Sequence, residues 1–285
     1  MPAFQAFAHN AQLITHNLFC PIYLLYPGFV FQSYAMRAQN QLLTSRTEVR
    51  SRFALIPLDG IPNSRLPHWP AAAVRVLASP VLGANFVQYM IDLERGQGGQ
   101  HMADGRVEHF LYILSGNATL TIDKAKHKLT AGSFALIPPT SNYQLQAGGK
   151  TSLLLLRKVY EPAPDIAMFA PLVGNQTDVA GTVFCNDAGA ILQLLIPDEW
   201  QYDIAMNIFT FEVGHSLPVV ETHVMEHGLY FLEGKGLYYL DDHWMEVEAT
   251  DFIWMGPFCP QSFYATGPVA SRYLYYKNVN REIPL

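Results

Sequence analysis

Two short stretches of this sequence nearly repeat each other: HFLYILSG at residues 109–116 and HGLYFLEG at residues 227–234. The offset of 118 residues between them also places Asp123 on Asp241 and Phe134 on Phe252. Such a fixed offset means that one structural unit occurs twice. In each copy, short alternating apolar runs are separated by turn residues. The sequence therefore predicts an all-β chain with two copies of one sandwich or jelly-roll barrel.

The segment between the copies separates two domains. Residues 161–180 contain Pro162, Pro164 and Pro171 and show no strand-like alternation, which indicates a connection. We predict three regions in the 285 residues: an extension of unknown order at 1–48, an N-terminal barrel at 49–165 and a C-terminal barrel at 166–285.

Composition excludes several classes of function. A net charge of −6 provides no basic surface for nucleic acid. Three cysteines without paired spacing favour a reducing compartment, and we expect a cytoplasmic protein. The longest apolar run, Leu18–Val30, is too short for a bilayer and is broken by two prolines, so we expect no membrane partner.

Candidate metal ligands lie at the start of the second repeat. Glu221, His223 and His227 stand at positions i, i+2 and i+6, which share one face in a strand. Two imidazoles and a carboxylate on one face indicate a divalent metal, with Mn²⁺ or Fe²⁺ favoured over a thiolate zinc site. On the same argument, Glu226 points to the opposite face, where we expect it to be exposed.

The segment around these residues resembles the first metal-binding motif of the cupin superfamily, which is flanked by glycines as Gly214 and Gly234 flank it here. In this chain the glutamate takes the place of the motif's first histidine, and His227 takes the place of its glutamate. Gln261 stands where cupins carry their last histidine. The resemblance implies a fold of two tandem jelly-roll barrels, a bicupin, and a ligand set of Glu221, His223, His227 and Gln261.

Within that superfamily, residues 52–285 are similar to the (S)-ureidoglycine aminohydrolases, a bicupin family. ETHVMEHG at 221–228 and KNVNR at 277–281 carry the resemblance. It implies a Mn²⁺-dependent hydrolase that releases ammonia from (S)-ureidoglycine, a small-molecule substrate, to give (S)-ureidoglycolate. It also implies substrate binding by Glu221, Tyr238, Tyr273 and Lys277, with Glu221 and Lys277 as the catalytic residues.

The first repeat lacks most of these ligands. At the same offset, Ala103, Gly105, His109 and Tyr143 stand where Glu221, His223, His227 and Gln261 stand in the second, and a one-residue shift places Lys158 on Lys277. We expect no metal in the first barrel, which would serve as a structural partner and as an oligomer surface. Because sheet edges of cupins are commonly covered by a second subunit, we expect a homo-oligomer.

Two alternatives remain open at this stage. The chain could be a different metal-dependent bicupin, with oxalate decarboxylase-like or dioxygenase-like activity, although such enzymes usually keep three histidines and one glutamate. It could also be a ligand-binding or storage bicupin without catalytic activity.

Overall fold

A computed structural model describes residues 46–279 and residue 281 of the chain. Most of the predicted extension, residues 1–45, lies outside the described residues. Within the described part, no helix is long and apolar enough to cross a membrane. The regular structure is almost entirely β, with three short 3₁₀ turns at Leu58–Gly60, Pro80–Leu82 and Gln176–Asp178.

The strands fall into two series that follow the sequence repeat. The first series is β1 (Glu48–Val49), β2 (Phe53–Ile56), β3 (Ser64–Leu66), β4 (Trp69–Ala78), β5 (Phe86–Leu93), β6 (Gly98–His101), β7 (Val107–Ser115), β8 (Asn117–Ile122), β9 (Ala125–Thr130), β10 (Ser133–Ile137), β11 (Tyr143–Ala147) and β12 (Thr151–Val159). The second is β13 (Leu172–Asn175), β14 (Thr182–Phe184), β15 (Asp187–Leu194), β16 (Ile204–Phe211), β17 (His227–Glu233), β18 (Lys235–Leu240), β19 (His243–Glu248), β20 (Phe252–Met255), β21 (Gln261–Ala265) and β22 (Ser271–Asn278).

Four sheets form two barrels in the described chain. The N-terminal barrel consists of a seven-stranded sheet, in the order β13-β10-β7-β12-β5-β4-β3, and a four-stranded sheet, β6-β11-β8-β9. The C-terminal barrel consists of an eight-stranded sheet, β1-β2-β20-β17-β22-β16-β15-β14, and a three-stranded sheet, β19-β18-β21. The all-β bicupin fold predicted from the repeat and from the cupin motif is confirmed.

Three apolar cores hold the barrels together. One fills each barrel, and a third lies between the two large sheets, where side chains from both barrels pack against each other. Strand β7 shows how alternation divides the cores, because Leu111 and Ile113 face the barrel interior while Phe110 and Tyr112 face the neighbouring barrel. Both faces of the large sheets are therefore buried.

Three strands, β1, β2 and β13, pair outside the barrel that their chain position suggests. Strand β2 lies beside β20 in the C-terminal barrel, with Phe53 opposite Met255. In the other direction, β13 pairs with β10 of the N-terminal barrel. The predicted division into residues 49–165 and 166–285 stays a prediction. Strands from each side of this boundary join a sheet of the other barrel.

Candidate metal and substrate site

The C-terminal barrel contains a cavity of about 260 Å³ that brings the predicted site residues together. All seven of them line it: Glu221, His223, His227, Tyr238, Gln261, Tyr273 and Lys277. They come from β17, β18, β21, β22 and the segment before β17. The cavity therefore has a polar lining built from distant parts of the second repeat.

Backbone pairing, rather than a single strand, positions the candidate ligands. The predicted strand over residues 221–227 does not form, since β17 begins only at His227. Instead, Glu221 and Gln261 pair through two backbone hydrogen bonds of 2.8 and 2.9 Å, and the carbonyl of His223 accepts from the amide of Phe258. These bonds hold the segment beside β21, so His223 reaches the cavity from a loop.

The two histidines direct unprotonated nitrogens at each other. Nδ1 of His227 donates to the carbonyl of Tyr276 at 3.0 Å, and Nδ1 of His223 donates to the carbonyl of Met225 at 3.2 Å. A carbonyl can only accept, so a neutral imidazole in either position carries its proton on Nδ1. The two Nε2 atoms lie 3.2 Å apart. Two such acceptors at that distance fit a shared cation, and carbonyls that fix the far nitrogen are typical of metal-binding histidines.

Burial keeps both imidazoles neutral. It lowers the pKa of His227 to about 3, with the neighbouring His223 adding to the shift. Burial also lowers the pKa of His223, and the positive charge of Lys277 acts in the same direction. A protonated imidazole cannot bind a metal, so the lowered pKa values keep the ligand form available near neutral pH.

Gln261 extends this cluster. Its Nε2 lies 3.1 Å from Nε2 of His223, and its Oε1 accepts a long hydrogen bond of 3.4 Å from the hydroxyl of Tyr238. An amide flip would exchange the two atoms and present the oxygen to the histidines. The donor set of two imidazoles and one amide oxygen then suits a divalent ion.

Glu221 lines the same cavity, but it is less closely joined to the histidines. In the described residues, no group of three or more His, Cys, Asp and Glu side chains lies close enough to hold one metal ion. The structure thus gathers His223, His227 and Gln261, and it places the half-buried Glu221 at the rim beside them.

Sequence reasoning missed two polar residues of the cavity, Asn207 and the exposed Asp198. Asn207 on β16 is buried, its Nδ2 donates to the hydroxyl of Tyr275 at 3.1 Å, and its Oδ1 has no partner among the described residues. Tyr275 lies two residues after Tyr273 on β22, so the two side chains share one face of the strand. A polar Asn inside the apolar run IAMNIFTF of β16 was the available signal for the first.

The expectation that Glu226 is exposed is wrong. Glu226 is fully buried between the barrels, where its carboxylate accepts from the amide of Asn85 at 3.1 Å and from Nε1 of Trp254 at 3.4 Å. It does point away from the cavity, as parity suggested. That side of β17 faces a second barrel, however, and not solvent.

Two of the residue correspondences that were predicted between the repeats are also wrong. In β12, Arg157 lies opposite His109, as Lys277 lies opposite His227 in β22, so Arg157 and not Lys158 is the counterpart of Lys277. Similarly, His101 pairs with Tyr143 where Glu221 pairs with Gln261. His101, rather than Ala103, therefore stands in the place of Glu221.

Comparison with known proteins agrees with this architecture. The family model described as Cupin domain matches residues 89–156. An Escherichia coli crystal structure, of protein Ylba, superimposes with a TM-score of 0.76 at 30% identity, covering 87% of this chain and 99% of that one. A variant of Bacillus subtilis oxalate decarboxylase gives a TM-score of 0.64 at 12% identity over 84% of this chain and 81% of that chain, a likeness of fold alone.

Two curated relatives also match most of the chain. The (S)-ureidoglycine aminohydrolase of Escherichia coli is 32% identical over 252 residues, which is 87% of this chain and 96% of the relative. The Arabidopsis thaliana protein of the same name is 33% identical over 83% of this chain and 79% of its own length. The chain therefore belongs to the (S)-ureidoglycine aminohydrolase family, a bicupin family of hydrolases acting on C–N bonds.

Proposed function

We propose that this protein releases ammonia from (S)-ureidoglycine and forms (S)-ureidoglycolate, as a step of purine (allantoin) degradation, with Mn²⁺ held by His223, His227, Gln261 and Glu221. The reaction replaces the C–N bond to the amine by a C–O bond from water. The observation that carries the proposal is the pair of Nε2 atoms 3.2 Å apart, both fixed as acceptors by backbone carbonyls. Cupin domains typically bind metal ions, which further supports this assignment.

The proposed ligands need two small side-chain movements. Glu221 is half-buried at the rim, so its carboxylate can turn toward the histidine pair without unpacking the core. The amide of Gln261 would flip so that its oxygen faces His223. When bound, the ion would supply Lewis-acid activation at the carbon that loses the amine.

The remaining polar groups of the cavity match the other parts of the substrate. Lys277 is half-buried and forms no ion pair with any described residue, so its ammonium is free to bind the substrate carboxylate. Asn207 lines the cavity, and its Oδ1, which has no partner among the described residues, can accept from the N–H groups of the ureido arm. Tyr238 and Tyr273 form part of the cavity wall. The amine then lies toward Glu221, whose carboxylate orients it and exchanges its proton.

Metal analysis combined with an ammonia-release assay tests the proposal. The purified full chain should contain about one divalent ion and release ammonia from freshly prepared ureidoglycine, and chelation should abolish the release until Mn²⁺ is added back. His227→Ala should lose bound metal and reduce ammonia release by more than about 100-fold. His215→Ala is the matched control, because His215 contacts Asp187 away from the cavity.

Two outcomes would contradict the proposal. Ammonia release at the wild-type rate by His227→Ala or by metal-free protein would remove the metal site from the reaction. Activity on another acid substrate that requires oxygen, with no ammonia released from ureidoglycine, would instead favour an oxidative bicupin enzyme.

A further inference from the structure

The N-terminal barrel contains a second, smaller cavity at the place that corresponds to the metal site. Its volume is about 60 Å³, and its polar lining includes His68, Gln100, His101, His109, Tyr143 and Arg157. Backbone register makes the two cavities equivalent, since Arg157 lies opposite His109 as Lys277 lies opposite His227. The repeat has therefore kept a polar cavity in both barrels and changed its side chains.

The change of side chains reverses the charge of the site. His101 replaces the carboxylate of Glu221, and no Asp or Glu lines the smaller cavity. Arg157 adds a permanent positive charge, and it forms no ion pair with any residue of the described chain. The carboxylate of Asp104, whose charge acts on both imidazoles, accepts from the backbone amides of Arg106 and Val107. A cation is repelled here, whereas an anion is attracted.

Buried groups in this cavity lack partners. Nε of Arg157 donates to Nε2 of His109 at 3.0 Å, so a neutral His109 carries its proton on Nδ1. His109 is only 1% exposed, and its Nδ1 has no hydrogen-bond partner among the described residues. Nε2 of His101 is also buried without a partner. Buried polar groups without partners are unfavourable, so a bound polar molecule would stabilise this cavity.

We propose that the N-terminal cavity binds one small planar oxyanion, a carboxylate of about the size of formate. A guanidinium group bonds both oxygens of a carboxylate at once, and only one of the five N–H groups of Arg157 is used by His109. The small volume excludes substrates with long side chains. This site is independent of the proposed function, because it shares no residue with the cavity around His227.

Crystals of the full-length protein, soaked in a concentration series of sodium formate, test the assignment. Formate should appear against the guanidinium of Arg157, with half-occupancy at about 1–10 mM. Arg157→Gln should weaken the occupancy at least tenfold. Arg95→Gln, which alters another arginine of the same barrel whose Nε makes one hydrogen bond, should leave it unchanged. Lys277→Gln should also leave it unchanged, which separates this site from the proposed substrate cavity.

Three results would overturn the assignment. The first is the absence of formate at Arg157 in wild-type crystals at 100-fold the expected half-occupancy concentration. The second is equal occupancy in the Arg157→Gln variant, whose intact fold the same crystals would show. The third is bromide, located by its anomalous signal in parallel soaks, binding as tightly as formate, because a planar oxyanion site should prefer two coplanar oxygens over a sphere.

Discussion

At the scale of single residues, the site combines groups that sequence patterns identify with groups that they do not. Glu221, His223 and His227 stand out through their spacing, and Gln261 through its place in the second cupin motif. Asn207 does not stand out, because one Asn in an apolar strand has no motif around it. Only the packed barrel shows that Asn207 lines the cavity and that its Oδ1 has no partner among the described residues.

Asn207→Leu should lower kcat/KM for ureidoglycine about 10- to 100-fold while leaving the metal content unchanged. Leucine has a similar volume but cannot accept a hydrogen bond, and a lost bond of about 1–3 kcal/mol corresponds to this range. The measurement is steady-state ammonia release, with metal analysis of the same sample. Loss of the metal together with activity would instead show that Asn207 supports the ligand cluster.

At the scale of elements, prediction succeeded for strand content and failed where strands exchange partners. The alternating apolar runs of the two repeats do form strands, as β8 and β18 show. It could not show that β2 pairs with β20 about 200 residues away, because a pairing of that kind leaves no periodic signal in the chain. The same limit explains why Glu226 was wrongly expected to be exposed. The position of a residue in a strand pattern predicts the side on which it lies, but not what packs against that side.

The second residue of β17 marks the closest approach of the two large sheets. A Cβ atom on Gly228 would lie 2.4 Å from Cζ of Phe86 and 2.9 Å from Oε1 of Gln88, both buried on β5. Gly228→Ala should therefore lower the free energy of unfolding by about 1–3 kcal/mol through overpacking.

Urea denaturation measures this change, and Gly60→Ala is the control, because its Cβ would meet only the side chain of Thr47 at 3.7 Å. An equal loss of stability in both variants would mean that backbone freedom, rather than the contact with Phe86, explains the effect.

At the scale of the whole molecule, a buried ion pair joins the barrels. Nζ of Lys158, on β12, lies 2.6 Å from Oδ2 of Asp203, just before β16, and both side chains are buried. Glu108 lies opposite Lys158 in the sheet. Burial and the charge of Asp203 raise the pKa of Glu108 well above its usual value. Lys158 thus pairs with Asp203 and, at 3.0 Å, with Glu161, while the buried carboxylate of Glu108 has no hydrogen-bond partner among the described residues.

Lys158→Met should destabilise the protein by about 3–5 kcal/mol, because it leaves the carboxylate of Asp203 buried without its counter-charge. Arg50→Met should cost at most about 1 kcal/mol, since the pairs of Arg50 with Glu48 and Asp242 are solvent-exposed. Both changes are measured by urea denaturation at neutral pH. A Lys158 variant as stable as the Arg50 variant would show that the pair contributes nothing to the joining of the barrels.

Glu108→Gln should stabilise the protein relative to the wild type, and the difference should grow as the pH rises. A glutamate with a raised pKa in the folded state binds more protons when folded, so its contribution to stability falls as pH increases above the unfolded pKa of about 4.3. Glutamine has no such proton to lose. Unfolding free energies at pH 5 and pH 8 measure the difference, and a gap that narrows toward pH 8 would contradict it.

The pairing of β2 with β20 also constrains the order of events during synthesis. Residues 53–56 leave the ribosome early, but their partners at 252–255 are added only when most of the chain has been made. The N-terminal barrel receives its last strand at residue 175 and can close while translation continues. The nascent chain therefore carries the apolar segment FALI, with only the two-residue β1 to pair with, for nearly 200 residues of elongation. During that interval this segment is the natural contact for a chaperone and the point from which misassembly would start.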